Sequence, residues 1–127
     1  MSLSRAERNQ KIDRTLADLA ALRGVTTAAL VDGDGFVTHI RKAFDIDTDA
    51  LGAAVQLVFT AATRSAEQVR QENTKLVLAE NKDGIVLLAP LTRGFVLVLV
   101  ADGSAMLGTL RFEVKETVPS LNELFAA

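Results

Sequence analysis

Along this chain apolar residues recur at helical spacing in some stretches and alternate, or run together, in others. In the first periodic stretch Ile12, Leu16, Leu19 and Leu22 share one helical face. Ser4 and Glu7 stand ahead of them at capping-box spacing and Gly24 follows as a stop, which predicts a helix over residues 5–23. Residues 25–31 are β-branched or small and 36–40 are again strand-like; with Asp32-Gly33-Asp34-Gly35 between them they predict a β-hairpin. Asp45, Asp47 and Asp49 then offer caps for a second helix. Leu51, Val55, Val58, Ala62 and Val69 form its apolar stripe, with Gly52 the one glycine within the predicted span of 48–72. Such a helix would be roughly 40 Å long at ~1.5 Å per residue. Ala53, Ala54, Ala61, Ala62 and Ala66 keep much of its surface small, so another helix can approach closely.

Three strands follow in the pattern: 74–80, 85–89 and 95–100, separated by Asn81-Lys82-Asp83-Gly84 and by Pro90-Leu91-Thr92-Arg93-Gly94. The last two are apolar at nearly every position, so both their faces are expected to be covered. A final helix, capped by Ser104, presents Leu107, Leu110, Val114, Val118, Leu121 and Phe125 on one face; Pro119 predicts a kink or restart. The order α-β-β-α-β-β-β-α gives an α+β architecture, a five-stranded antiparallel sheet with three helices. The first and third helices are expected on one face and the second on the other. Its small-residue stripe points to help from a second copy, hence a homodimer.

Composition narrows the function. At 127 residues the chain is expected to be one domain spanning 1–127. It has no cysteine and one histidine, which excludes disulfides, thiolate chemistry and a two-histidine zinc motif. Lys and Arg number 14 against 16 Asp and Glu, interleaved, without the basic footprint of a nucleic-acid binder. The longest apolar run, 95–101, is far short of the ~20 residues of a membrane span. Residues 1–10 lack the apolar core of a secretory signal, so a cytoplasmic location is expected.

Candidate chemistry is sparse. Asp32-Gly33-Asp34-Gly35 lacks the third alternating ligand and the later glutamate of a calcium loop, and reads as a turn. Gly33-Asp34-Gly35 has neither a Gly-Lys-Ser/Thr end nor a helix after it, so no nucleotide site is expected. Capping explains Asp45, Asp47 and Asp49 more simply than a cation does. His39, on a predicted edge strand, has no nucleophile in a recognisable motif. No catalysis, metal or cofactor is therefore expected. The second helix's polar face is richer, carrying Gln56, Thr60, Thr63, Arg64, Glu67, Gln68, Arg70 and Gln71, a mixture suited to protein contact. A mid-helix arginine reaches poorly into a nucleotide pocket, so an arginine finger is not expected.

Two strings carry a resemblance. Gly24-Val25-Thr26-Thr27-Ala28-Ala29-Leu30-Val31-Asp32 runs into Asp34-Gly35-Phe36-Val37, and Leu97-Val98-Leu99-Val100-Ala101-Asp102 is followed by Leu107-Gly108-Thr109-Leu110-Arg111. With the element order, they resemble the roadblock family of dynein light-chain-like proteins, among them small bacterial members of the MglB type. The resemblance spans about residues 10–125 and implies a fold related in shape to the profilin and longin folds. It implies dimerisation by pairing of third strands with the long helices side by side. That places Leu51, Val55, Val58, Ala62, Val69, Lys75, Leu76, Val77 and Leu78 at the dimer seam. It further implies a regulator or scaffold for a Ras-like small GTPase in its GTP state, stimulating hydrolysis without an arginine finger. Gln56, Thr60, Thr63, Arg64 and Glu67 are the expected GTPase contacts. Against the MglB type, no function of an extended C-terminal tail after Phe125 is expected. The alternative is a small-ligand sensor of PAS- or profilin-like shape, which requires an internal cavity with convergent polar groups. Six Phe with no Trp or Tyr argue against it.

Overall fold

The computed structural model describes residues 3–126. Helix α1, Arg5–Ala20, opens with the expected capping box: the Glu7 N–H donates to Ser4 Oγ at 3.1 Å and the Ser4 N–H to Glu7 Oε1 at 3.2 Å. Strands β1, Val25–Val31, and β2, Val37–Lys42, are joined by a turn that Asp32 closes. Its Oδ1 accepts from the Asp34 and Phe36 N–H groups at 3.0 and 2.9 Å, and Gly35 takes φ 88°. The carboxylate most suggestive of a cation ligand is thus part of the turn itself.

Helix α2 is Thr48–Gln68, capped by Asp47, whose Oδ1 accepts from the Ala50 N–H at 3.0 Å. It ends four residues before the expected 72. The Gln71 N–H reaches the Ala66 carbonyl and the Arg70 N–H that of Glu67, the paired bonds of a Schellman stop. Arg70 sits left-handed at φ 61° in the place glycine usually takes. Strand β3 is likewise shorter than expected, Val77–Asn81 rather than 74–80. Val77 pairs with Leu88 of β4, Gly84–Pro90, so continuing the ladder would set Lys75 opposite Pro90, which has no N–H to donate.

A single 3-10 turn, Thr92–Gly94, leads into β5, Val96–Asp102. Helix α3, Leu107–Ala126, runs through Pro119 without the expected restart. Nor does Ser104 cap it: the Ser104 hydroxyl donates to Asp102 Oδ1 at 2.6 Å. The sheet is antiparallel in the order β2-β1-β5-β4-β3, which leaves β2 and β3 as its edges.

Strand alternation separates two cores. On one face Leu87, Leu97 and Leu99 meet Ile12 and Leu16 of α1 and Leu110 and Leu121 of α3. On the other, Val31, Leu88, Val96 and Val98 meet Val55, with Leu51 and Phe59 packed beside it. The face with two helices is closed. The other has α2 alone, which lies mainly over β2, β1 and β5, so Val77 and Val86 beyond it stay half-buried.

Candidate functional site

Where α2 falls short, its flank and β3 border an open groove of about 680 Å³. Ala62, Ala66 and Val69 line one side and Val77 and Leu78 the other, with 71–76 across the end. The apolar stripe expected at a dimer seam is therefore divided. Val55 is 4% exposed and belongs to the chain's own core, and Leu51 packs against that core. Val58 and Val69 are 47% and 66% exposed and have nothing of this chain over them. Leu76 leans into the two-helix core and Val77 into the other; Leu78 and Lys75 are exposed.

A second groove, about 620 Å³, lies between the outer side of α2 and the β1–β2 turn, lined by Gly33, Gly35, Ala53, Leu57, Thr60 and Arg64 among others. Here too the expected contact residues divide. Gln56 Nε2 donates to the Asp32 carbonyl at 2.7 Å and the Gly94 carbonyl at 3.2 Å, fastening both turns to α2. The Thr63 hydroxyl donates back to the Phe59 carbonyl at 2.9 Å. Thr60, Arg64 and Glu67 are exposed, and no ion pair among the described residues holds Arg64 or Glu67. The periodicity argument missed Leu57, 72% exposed on the outer side, and Phe36, 63% exposed at the turn. Their signal was present: Leu57 is a large apolar residue outside the predicted α2 stripe, and Phe36 is one at the turn end of the predicted strand 36–40.

The titratable groups displaced from their ordinary pKa line neither groove. His39 links strand to helix, its Nδ1 3.0 Å from Thr38 Oγ1 and its Nε2 3.3 Å from Asn9 Oδ1. Partial burial holds its pKa below the ordinary imidazole value, and the Asp13 charge opposes that shift. Glu7 and Asp102 are held below the usual carboxylate range chiefly by side-chain hydrogen bonds from Ser4 and Ser104. Among the described residues no group of three or more His, Asp or Glu is placed to hold a metal ion. No helix is long and apolar enough to cross a membrane.

The α1-to-β5 architecture and its half-covered α2 face can be set beside known proteins. The Roadblock/LC7 domain family matches residues 11–101. The chain belongs to the Roadblock/LC7 family. Myxococcus xanthus MglB superposes with a TM-score of 0.87 at 20% identity, over 99% of this chain and 95% of that one. A structure described as MglB with tetrameric arrangement gives 0.86 at 20% identity, over 98% and 93%. Acanthamoeba castellanii profilin II gives 0.64 at 21% identity, over 90% and 95%, in keeping with the expected kinship of roadblock and profilin shapes. No curated protein sequence matches the chain. At such identities these likenesses establish the fold.

Proposed function

We propose that this roadblock chain is a non-enzymatic homodimer that binds a Ras-like small GTPase in its GTP state and works in the cytoplasm as its regulator or scaffold. The observation that carries the reading is the unfinished α2 side, where Val58 and Val69 stand exposed and Val69 lines the groove along the open β3 edge. A second copy would cover that side. The tetrameric arrangement of an MglB relative supports self-association. The outer side of α2, with Thr60, Arg64, Glu67 and the unanticipated Leu57, then faces the GTPase. Chemistry stays with the GTPase: this chain contributes by holding the switch segments in a hydrolysis-competent order, since such segments order and disorder with the γ-phosphate.

The test is capture of proteins from the source organism's lysate on the tagged chain, in a GTP analogue and in GDP. A small GTPase retained only with the analogue is the expected result; its absence in both states removes the regulator reading and leaves the fold. Arg64→Glu is expected to weaken the captured GTPase at least about tenfold, or ~1.4 kcal/mol. Its melting temperature should match that of the parent chain, because Arg64 is exposed and supports nothing within the fold. Unchanged affinity would remove Arg64 from the contact.

A further inference from the structure

The groove beside the β1–β2 turn has one wall that α2 does not supply, and Gln56 is the side chain that holds it. A carboxamide nitrogen carries two N–H groups. The two carbonyls that Gln56 reaches, Asp32 at 2.7 Å and Gly94 at 3.2 Å, take both. This half-buried side chain has only its own oxygen left for a partner. Gln56 was expected as a GTPase contact, and its geometry suits another task.

The β1–β2 turn is a closed unit built around Asp32. The Asp32 N–H donates to the Phe36 carbonyl at 2.8 Å, and the Asp32 carbonyl accepts from the Gly35 N–H at 3.0 Å. Its Oδ1 accepts from Asp34 and Phe36. Such a unit holds its own shape but not its place, which contacts with α2 must set. Gly35 rests on Gly52, and one helical turn further on Gln56 ties the Asp32 carbonyl. The second Gln56 bond runs to the turn at Thr92–Gly94, which lies against Gly33. That turn is held in its own right to α3, because the Thr92 N–H donates to Asn122 Oδ1 at 2.8 Å. The wall is therefore braced from both faces of the sheet.

The next row of α2, one residue beyond Gly52 and Gln56, is the one that faces out. Ala53, Leu57, Thr60 and Arg64 recur there at helical spacing, with Asp34 on the turn across the groove. A partner touching both walls binds only as well as their spacing allows. We propose that Gln56 is a positioning residue: by tying the β1–β2 turn to α2 it sets the width of the groove that receives the GTPase, without touching the GTPase. This rests on the reading of the outer side of α2 as the GTPase face.

Two variants test it. Gln56→Met keeps the length of the side chain and removes both donors. Gln56→Glu keeps its shape but sets a carboxylate against two carbonyl oxygens, until a proton restores one donor. The charged groups around that position are Asp32 and Asp34 on one turn, Arg93 on the other and Arg64 on α2. In the free chain, relaxation of the backbone amide nitrogens of 33–36 reads the wall directly. Order parameters near ~0.85 in the parent are expected to fall below ~0.6 in Gln56→Met. Those around the Asp47–Ala50 cap of α2 should not change. The captured small GTPase, purified and loaded with a GTP analogue, is expected to bind Gln56→Met about tenfold more weakly, the scale of two lost hydrogen bonds. In Gln56→Glu the loss should shrink as pH is lowered from ~7.5 toward ~5, since a carboxyl pressed on carbonyls titrates above its ordinary ~4.3. Dividing by the parent's affinity at each pH removes the contribution of His39.

Weaker binding with 33–36 as rigid as in the parent makes Gln56 a direct contact and overturns the proposal. A loosened turn with unchanged affinity overturns it as well, and so does loosening that extends to the α2 cap. A parent chain that retains no GTPase ends the regulator reading and the binding role of Gln56 with it. Rigid 33–36 in Gln56→Met ends the positioning role whatever the GTPase does.

Discussion

Gly52 illustrates how a residue's role changes between sequence and structure. In a helix interior glycine costs about 1 kcal/mol relative to alanine, so Gly52 reads as a weak point in α2. In the fold, a Cβ at Gly52 would lie 2.0 Å from the Gly35 carbonyl oxygen, so the bare backbone is what lets α2 rest on the β1–β2 turn. Gly52→Ala is expected to destabilise the chain by about 2 kcal/mol, overpacking outweighing the propensity gain. Gly108→Ala, where a Cβ meets nothing within 4 Å, is expected to leave stability equal or slightly higher. Urea unfolding of both variants checks the pair. His39 gives a pH signature. Its folded pKa is depressed by burial, so the unfolded chain binds the proton more readily and protonation favours unfolding. Stability should therefore rise as pH climbs through the ordinary imidazole range, near ~6.5, and fall on the way down. His39→Gln should flatten that slope in melting scans. Neither role was readable from the sequence, because each depends on a neighbour distant in the chain: Gly35 for Gly52, and Asn9 for His39.

At the scale of elements, what was legible follows from periodicity, and what was not follows from local backbone chemistry. The starts of α1 and α2 were visible in Ser4, Glu7 and Asp47, since caps act over three residues. The end of α2 was not, because Arg70 occupies a left-handed stop where sequence reasoning looks for glycine. The start of β3 was misplaced for a long-range reason, the missing donor at Pro90 on the neighbouring strand. Pro119 was expected to kink or restart α3, and the helix runs through it without a restart. Leu121 and Phe125 beyond it are buried, and Phe125 stacks on Phe95 with ring centroids 4.4 Å apart, so packing holds the last turns in line. Proline still withholds an N–H from the helix ladder. Pro119→Ala, at an exposed position, is expected to raise stability by as much as ~3 kcal/mol, read from the shift in urea midpoint.

Across the whole molecule, the two-core arrangement was legible in the apolar β4 and β5 segments, which need cover on both faces. The asymmetry of that cover was legible only as an excess of small residues on α2. The candidate interaction residues fared less evenly. A stripe drawn from Leu51 to Val69 contains residues that face inward and residues that face out, and helical spacing alone does not separate them. If the outward ones are covered by a second copy, folding and association are linked. The melting temperature should then rise with protein concentration, and Val69→Glu should abolish that dependence without lowering the melting temperature of the dilute chain.

The sheet has two dissimilar ends. β3 is a short edge bordered by the open groove, whereas β2 carries Arg41 and Lys42, its pairing with β1 is irregular between Leu30 and Val31, and His39 fastens it to α1. Charges and irregular pairing are how sheets discourage further strands from adding. A sheet continued across two copies would terminate in β2 on both sides. Growth would therefore stop at a closed pair, and a filament of stacked subunits would have no edge on which to extend.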